Sequence, residues 1–165
     1  MTFDELRDGE AIFLDANIFV YHFLGLSRQC KHLLKRCREG MLQGKTASFI
    51  VAETVHRLMV AEAVEQRLVT SKNALKKLRE RPEFIQRLRK HAQSVPTIRA
   101  MNIESVALTT ATVEASTAVR RQYGLLTNDS ILVTVMQELG LASLATLDKD
   151  FDRVEWLKVY KPTDV

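Results

Sequence analysis

The sequence has little of what would let a chain do without a core. Only three prolines and six glycines occur in 165 residues. With 46% apolar residues, that excludes collagen-like, low-complexity and intrinsically disordered chains. Cysteine is also scarce. Cys30 and Cys37 stand two turns apart in a helix-like segment, about 10 Å, too far for an intrahelical disulfide. With only His32 nearby they make a poor metal site, so ordinary reduced thiols are expected. No apolar run approaches the roughly 20 residues of a membrane span. The longest candidate, Ala11 to Leu26, is broken by Asp15, Asn17 and His22. Asp4, Glu5, Arg7, Asp8 and Glu10 precede any apolar run, which does not suit a secretory leader. The expectation is a cytosolic protein of one domain, residues 1–165, with no membrane contact.

Charge is plentiful and uneven. The formal net charge is +4. Between Arg67 and Arg99, ten Lys and Arg face two acids, so that stretch carries +8 and the remainder −4. A basic segment beside an acidic remainder is read as a polyanion-binding surface next to a cation site. The candidate nucleic-acid contacts are Lys76, Lys77, Arg79, Arg81, Arg87, Arg89 and Lys90.

Short apolar runs alternate with amphipathic ones. Ala11–Leu14 reads as a buried strand and is followed by a helix ending near Gly25. Ser27 is set to cap a helix reaching Glu39, with Gly40 beyond its end. A strand over 45–49 leads into a helix over 50–68. Thr70 and Ser71 cap a helix from Lys72 to Glu80, and Pro82 opens another to Gln93. Pro96 is taken to close this helical region, with a strand over 97–103 and a long helix over 104–123. A helix over 131–139, a strand over 144–147 and a last strand over 156–160 complete the chain. This alternation predicts an α/β domain with a mainly parallel central sheet, whose ligands bind beyond the carboxyl ends of the strands.

Four acids stand at such junctions. Asp15 follows the first strand, Glu53 opens the helix after the second, Asp129 opens an apolar helix, and Asp148 follows the strand at Leu144. Singly, each has a plain explanation as a cap or a partner of a helix dipole. Four carboxylates at one edge repel, and the usual remedy is a hard divalent cation with oxygen ligands. Without His or Cys beside them, Mg²⁺ or Mn²⁺ fits best. Asn17, Thr127 and Thr146 supply neutral oxygens that can fix the carboxylates from behind. Asp150 competes with Asp148 for the fourth position.

These residues resemble the PIN-domain nucleases. Ile12-Phe13-Leu14-Asp15-Ala16-Asn17 looks like the family's opening strand and Asp-x-Asn. Ala52-Glu53 looks like its second motif, and Leu126-Thr127-Asn128-Asp129-Ser130 resembles the third. Ala145-Thr146-Leu147-Asp148-Lys149-Asp150-Phe151 resembles the last. The resemblance implies a three-layer α/β/α sandwich and a Mg²⁺- or Mn²⁺-dependent endoribonuclease. In that reading Asp15, Glu53, Asp129 and Asp148 are metal ligands and catalytic groups. Many small members are VapC-like toxins, often homodimeric and held inactive by an antitoxin protein. The chain is longer than a minimal member, and the excess lies around 70–96, where an extended helical segment is expected.

Three rivals stand beside this reading. A haloacid-dehalogenase-like phosphatase needs a second Asp where Asn17 stands. A PIN-fold module that binds RNA or protein without cleavage usually loses acids that are kept here. A housekeeping RNA-processing nuclease would look the same at the acids.

Overall fold

Ile12, Phe13 and Leu14 have no exposed surface in the computed structural model, which describes residues 1–165. A strand buried on both faces belongs in the middle of a parallel sheet covered by helices. It is the centre, β1 (Ala11–Leu14), of a five-stranded sheet. On one side lie β2 (Gln43–Ala47) and then β3 (Glu104–Val106). On the other lie β4 (Ser143–Ala145) and then β5 (Lys158–Tyr160). Every pair is parallel.

Helices α1 (Ala16–Phe23) and α2 (Arg28–Arg38) connect β1 to β2. Four helices connect β2 to β3: α3 (Ser48–Glu65), α4 (Ala74–Glu80), α5 (Pro82–Arg87) and α6 (Ser94–Arg99), with a 3-10 turn at Lys90–Gln93. Helices α7 (Thr110–Tyr123) and α8 (Thr127–Glu138) return the chain to β4, and a 3-10 turn at Asp150–Arg153 leads to β5. The path moves outward from β1 to β3, then jumps back past β1 to β4. With right-handed crossovers, α1–α6 cover one face and α7–α8 the other, which gives the three-layer α/β/α sandwich.

One core of 30 buried residues runs through the layers. Cys30 and Cys37 belong to it as free thiols, and burial pushes both up to about 11, which leaves them inert. Ser27 caps α2 by accepting from the Cys30 N–H at 2.9 Å, as its position suggested. A second, smaller cluster of Ala63, Val69, Ala74, Leu78 and Leu88 lies under the basic segment.

Several boundaries differ from the sequence reading. Pro96 does not close the helical region; it is the third residue of α6, where its missing N–H has no intrahelical acceptor to lose. The strand expected over 97–103 is therefore α6 and a turn, in which Asn102 takes the left-handed φ of 56° that Asn tolerates. The long helix over 104–123 divides into β3 and α7. The Glu104–Val106 strand is held at the edge by pairing with Lys45–Ala47, and Lys45 forms an ion pair with Glu104 across it. Thr109 then caps α7. The helix over 82–93 ends at Arg87, and the helical segment around 70–96 is built of short helices. Thr70 and Ser71 do not cap α4, which starts at Ala74; Thr70 instead bonds Asn73 through its amide and hydroxyl.

Candidate metal and catalytic site

The strand order reverses between β1 and β4, and their adjacent carboxyl ends open a crevice there. Leu14 and Ala145 are register partners, and the Asp15 N–H donates to the Ala145 carbonyl at 3.1 Å. The residues immediately after the two strands are thereby set side by side. Asp15 also caps α1, with Oδ1 accepting from the Ala16 N–H at 2.6 Å.

A small polar network fixes this carboxylate. Asp15 Oδ2 accepts from the Asn17 amide at 2.6 Å and from the Thr146 hydroxyl at 2.7 Å. Thr146 has no exposed surface, and its Oγ1 also accepts from the Asp148 N–H at 3.0 Å and from Asn17 Nδ2 at 3.0 Å. Asn17 Oδ1 accepts from the Leu147 N–H at 3.2 Å. The hydroxyl of Thr146 thus ties the ends of both strands to one point. Asn17 and Thr146 both hydrogen-bond the Asp15 carboxylate.

Asp129 arrives from the opposite layer. It is the third residue of α8, where a helix N-terminus favours negative charge. One carboxylate oxygen from each of Asp129, Asp148 and Asp150 lies within 4.8 Å of the others. Asp148 and Asp150 both belong to this group. The Asp150 N–H donates to Asp148 Oδ1 at 2.8 Å. Arg153 donates to Asp150 Oδ1 at 2.6 Å and to the Gly124 carbonyl at 3.1 Å, which clamps the 3-10 turn to the entry of α8. Glu53 is half-exposed in the second turn of α3, with Arg57 at 3.7 Å.

The electrostatics show crowding of like charge. Burial pushes Asp15 up to about 6; Glu53 adds to the rise, while the Thr146 hydroxyl, the Ala16 N–H and Arg57 oppose it. Burial also lifts Asp129 to about 6, followed by repulsion from Asp148, Asp15, Asp150 and Glu53. Asp129 is thus acted on by all four of the other carboxylates. The donor set is oxygen throughout, which suits a hard divalent cation.

With this geometry established, the matching family is decisive. The PIN domain family matches residues 12–157. The chain belongs to the PIN domain family. It is 21% identical over 150 residues to Ribonuclease VapC6 of Methanocaldococcus jannaschii, a match covering 91% of this chain and 96% of that protein. Its fold is similar to a chain of a toxin–antitoxin complex from Klebsiella pneumoniae, with a TM-score of 0.56, 20% identity, and 89% and 95% of the two chains covered. It is also similar to a chain of VapBC2 from Rickettsia felis bound to a DNA fragment from its promoter. There the TM-score is 0.58, the identity 15%, and the coverage 92% and 98%.

In this PIN domain, the other sequence-based candidates lie as follows. The Thr127 side chain is exposed and bonds none of the carboxylates; only its carbonyl is used, accepting from the Ser130 hydroxyl at 2.7 Å. In the basic segment, Lys76 and Lys77 meet Glu80 at 3.9 and 3.1 Å, Arg81 meets Glu83 at 3.3 Å, and Lys90 meets Glu65 at 2.9 Å. Arg79, Arg87 and Arg89 meet no carboxylate. Two charged residues of the site were missed by sequence reasoning. Arg57 stands four residues after Glu53 on a helix, a spacing that could have pointed to it. Arg153 had no such signal, because its partners Asp150 and Gly124 meet only through the tertiary fold.

Proposed function

We propose that this PIN domain is a divalent-metal-dependent endoribonuclease and the toxin of a toxin–antitoxin pair, with a protein antitoxin as partner. The observation that carries the catalytic part is the grouping of Asp129, Asp148 and Asp150 at the strand-order reversal, with Asp15 tied to Asp148 through the Thr146 hydroxyl. The kinship with a protein named ribonuclease, and the likeness to chains from toxin–antitoxin complexes, support the substrate and the partner.

Asp129, Asp148 and Asp150 would hold the cation, with Asp15 as a further ligand. Mg²⁺ or Mn²⁺, when bound, supplies the positive charge that lets a phosphodiester approach the acids and makes water a better nucleophile. The remaining work falls to the protein. Asn17 and Thr146 hold Asp15 in one orientation through its Oδ2. Glu53, half-exposed and steadied by Arg57, orients the attacking water. The water oxygen would bond to phosphorus as the P–O3′ bond breaks, giving a 5′-phosphate, and the proton the water gives up would end, by way of solvent, on the departing O3′ as the 3′-hydroxyl.

The test is cleavage of a mixed RNA pool by wild type and Asp15→Asn in Mn²⁺, in Mg²⁺ and in EDTA. Metal-dependent cuts lost in a folded Asp15→Asn variant are expected. Cuts that persist in EDTA, or an Asp15→Asn variant as active as wild type in saturating Mn²⁺, would overturn the proposal.

A further inference from the structure

Positive charge on this surface is not arranged as the residue count suggests. Four cations of the basic segment 67–99 meet Glu80, Glu83 or Glu65 in surface ion pairs. Helix α2 is different. Arg28, Lys31, Lys35 and Arg38 recur every three or four residues and are all exposed, forming one stripe about 15 Å long. Asp164 balances its first turn by accepting from the Ser27 hydroxyl and the Arg28 and Gln29 N–H groups. Beyond that turn, Lys31 and Arg38 meet no carboxylate. Lys35 meets only Glu39, at 3.6 Å and with both side chains largely exposed, a pair worth little in water. Arg36 points elsewhere, tied to the Phe3 and Leu6 carbonyls and to Asp8.

Between this stripe and the last turn of α1 lies a groove of about 250 Å³. His22, Arg28, Lys31, His32, Lys35 and Arg38 line it, and no carboxylate does. His22 Nδ1 is enclosed there without a hydrogen-bond partner, and burial together with the charge of Lys31 holds its pKa below the usual imidazole range. Helix α1 joins this groove rigidly to the acid site. Asp15 caps its first turn and His22 stands in its last, about 10 Å away along the axis.

The carboxylate cluster by itself repels a polyanion, so affinity for one must come from elsewhere on the surface. We infer that the α1–α2 groove is a track for the phosphate backbone of a single RNA strand, with Lys31, Lys35 and Arg38 as phosphate contacts about 10 Å or more from the cleaved bond. The inference rests on reading the carboxylate cluster as a ribonuclease site. An acidic peptide would also suit the charge. A nucleic-acid backbone is favoured because the groove shares a helix with the cluster on which a phosphodiester must be seated.

The experiment is fluorescence anisotropy with a short labelled single-stranded oligoribonucleotide of mixed sequence, in EDTA, over a series of salt concentrations. Three proteins are compared: wild type, the triple variant Lys31→Gln/Lys35→Gln/Arg38→Gln, and the reference triple Lys76→Gln/Lys77→Gln/Arg81→Gln. Each lost contact to a single strand removes about 0.7 from the log–log salt slope, so the α2 triple should lose about two units and the reference triple clearly less. Single variants Lys31→Gln and Lys35→Gln should each lose about 0.7, which keeps the test valid if the triple folds poorly. In Mn²⁺, the α2 triple should show a KM for the same RNA that rises more than kcat falls. A wild-type slope in the folded α2 triple, or an equal loss in the reference triple, overturns the groove. If wild type meanwhile cleaves the RNA in Mn²⁺, the ribonuclease reading stands without it. If wild type neither binds nor cleaves RNA with either metal, both fall together.

Discussion

At the scale of single residues, Thr146 links more of the site than any of the acids. Its hydroxyl donates to Asp15 and accepts from the Asp148 N–H and the Asn17 amide, all without contact with solvent. Thr146→Val keeps the shape and strands those groups. Leaving a buried partner unsatisfied costs about 1–3 kcal/mol, and urea unfolding should show a loss of that size. Loosening the residues behind metal ligands typically lowers metal affinity by about 10–100-fold, so Mn²⁺ binding should weaken with it. Unchanged stability and affinity would mean that the network is incidental. The acids themselves were legible in the sequence, because each sits beside strongly apolar residues at the end of a strand or the start of a helix. The clamp from Arg153 to Asp150 and Gly124 was not, because it depends on how α7, α8 and the last 3-10 turn meet in space.

Glu62 is the second instructive residue, and sequence reasoning passed over it. Buried on α3, it accepts from the Arg89, Lys90 and His91 N–H groups at 2.8, 3.0 and 3.0 Å, and it also bonds His91 Nδ1 and Gln66. Burial alone would raise its pKa, but these hydrogen bonds outweigh it and hold the carboxyl down at about 2. The native state therefore favours the ionised form. Its contribution, on the order of 3 kcal/mol, is fully present above the unfolded value of about 4.3 and is lost as pH falls toward about 2. Glu62→Gln should destabilise the protein at neutral pH, and the gap from wild type should close as pH drops below about 4. Urea unfolding across that range checks it; a gap independent of pH would rule out the charge as the cause.

At the scale of elements, the approach of α2 to the sheet depends on a glycine. A Cβ at Gly44 in β2 would stand 3.0 Å from Cys37 Sγ and 3.0 Å from Ile103 Cγ1, both in the packed core. Gly44→Ala should cost about 1–3 kcal/mol by overpacking and lower the thermal midpoint, whereas a neutral result would show that α2 can shift outward freely. Elements with strong apolar patterns were legible: β1, the cap and body of α2, the start of α3, and the C-terminal part of α8. Those set by neighbours were not. β3 is a three-residue edge strand of Glu, Ser and Val, whose own pattern does not distinguish it from a helix start. What holds it is parallel pairing with β2 and the ion pair from Lys45 to Glu104. α6 was concealed by Pro96, because a proline in a first helical turn and one after a helix look alike in sequence.

At the scale of the whole molecule, topology makes the site. Placing β4 beside β1 brings residues about 130 apart in the chain into hydrogen-bond contact, as in Thr146 to Asp15. It also sets α8, with Asp129, over the same crevice from the other face of the sheet. A ligand that binds the native state alone must stabilise it, so Mn²⁺ should raise the thermal midpoint of wild type and much less that of Asp129→Asn. The most direct check of the cation site is calorimetric titration of Mn²⁺ into metal-free wild type and Asp129→Asn, both shown to be folded. Saturable binding by wild type, weakened at least about ten-fold in the variant, is the expected result. Equal binding by both, or none by wild type, would contradict a cation held among Asp15, Asp129, Asp148 and Asp150.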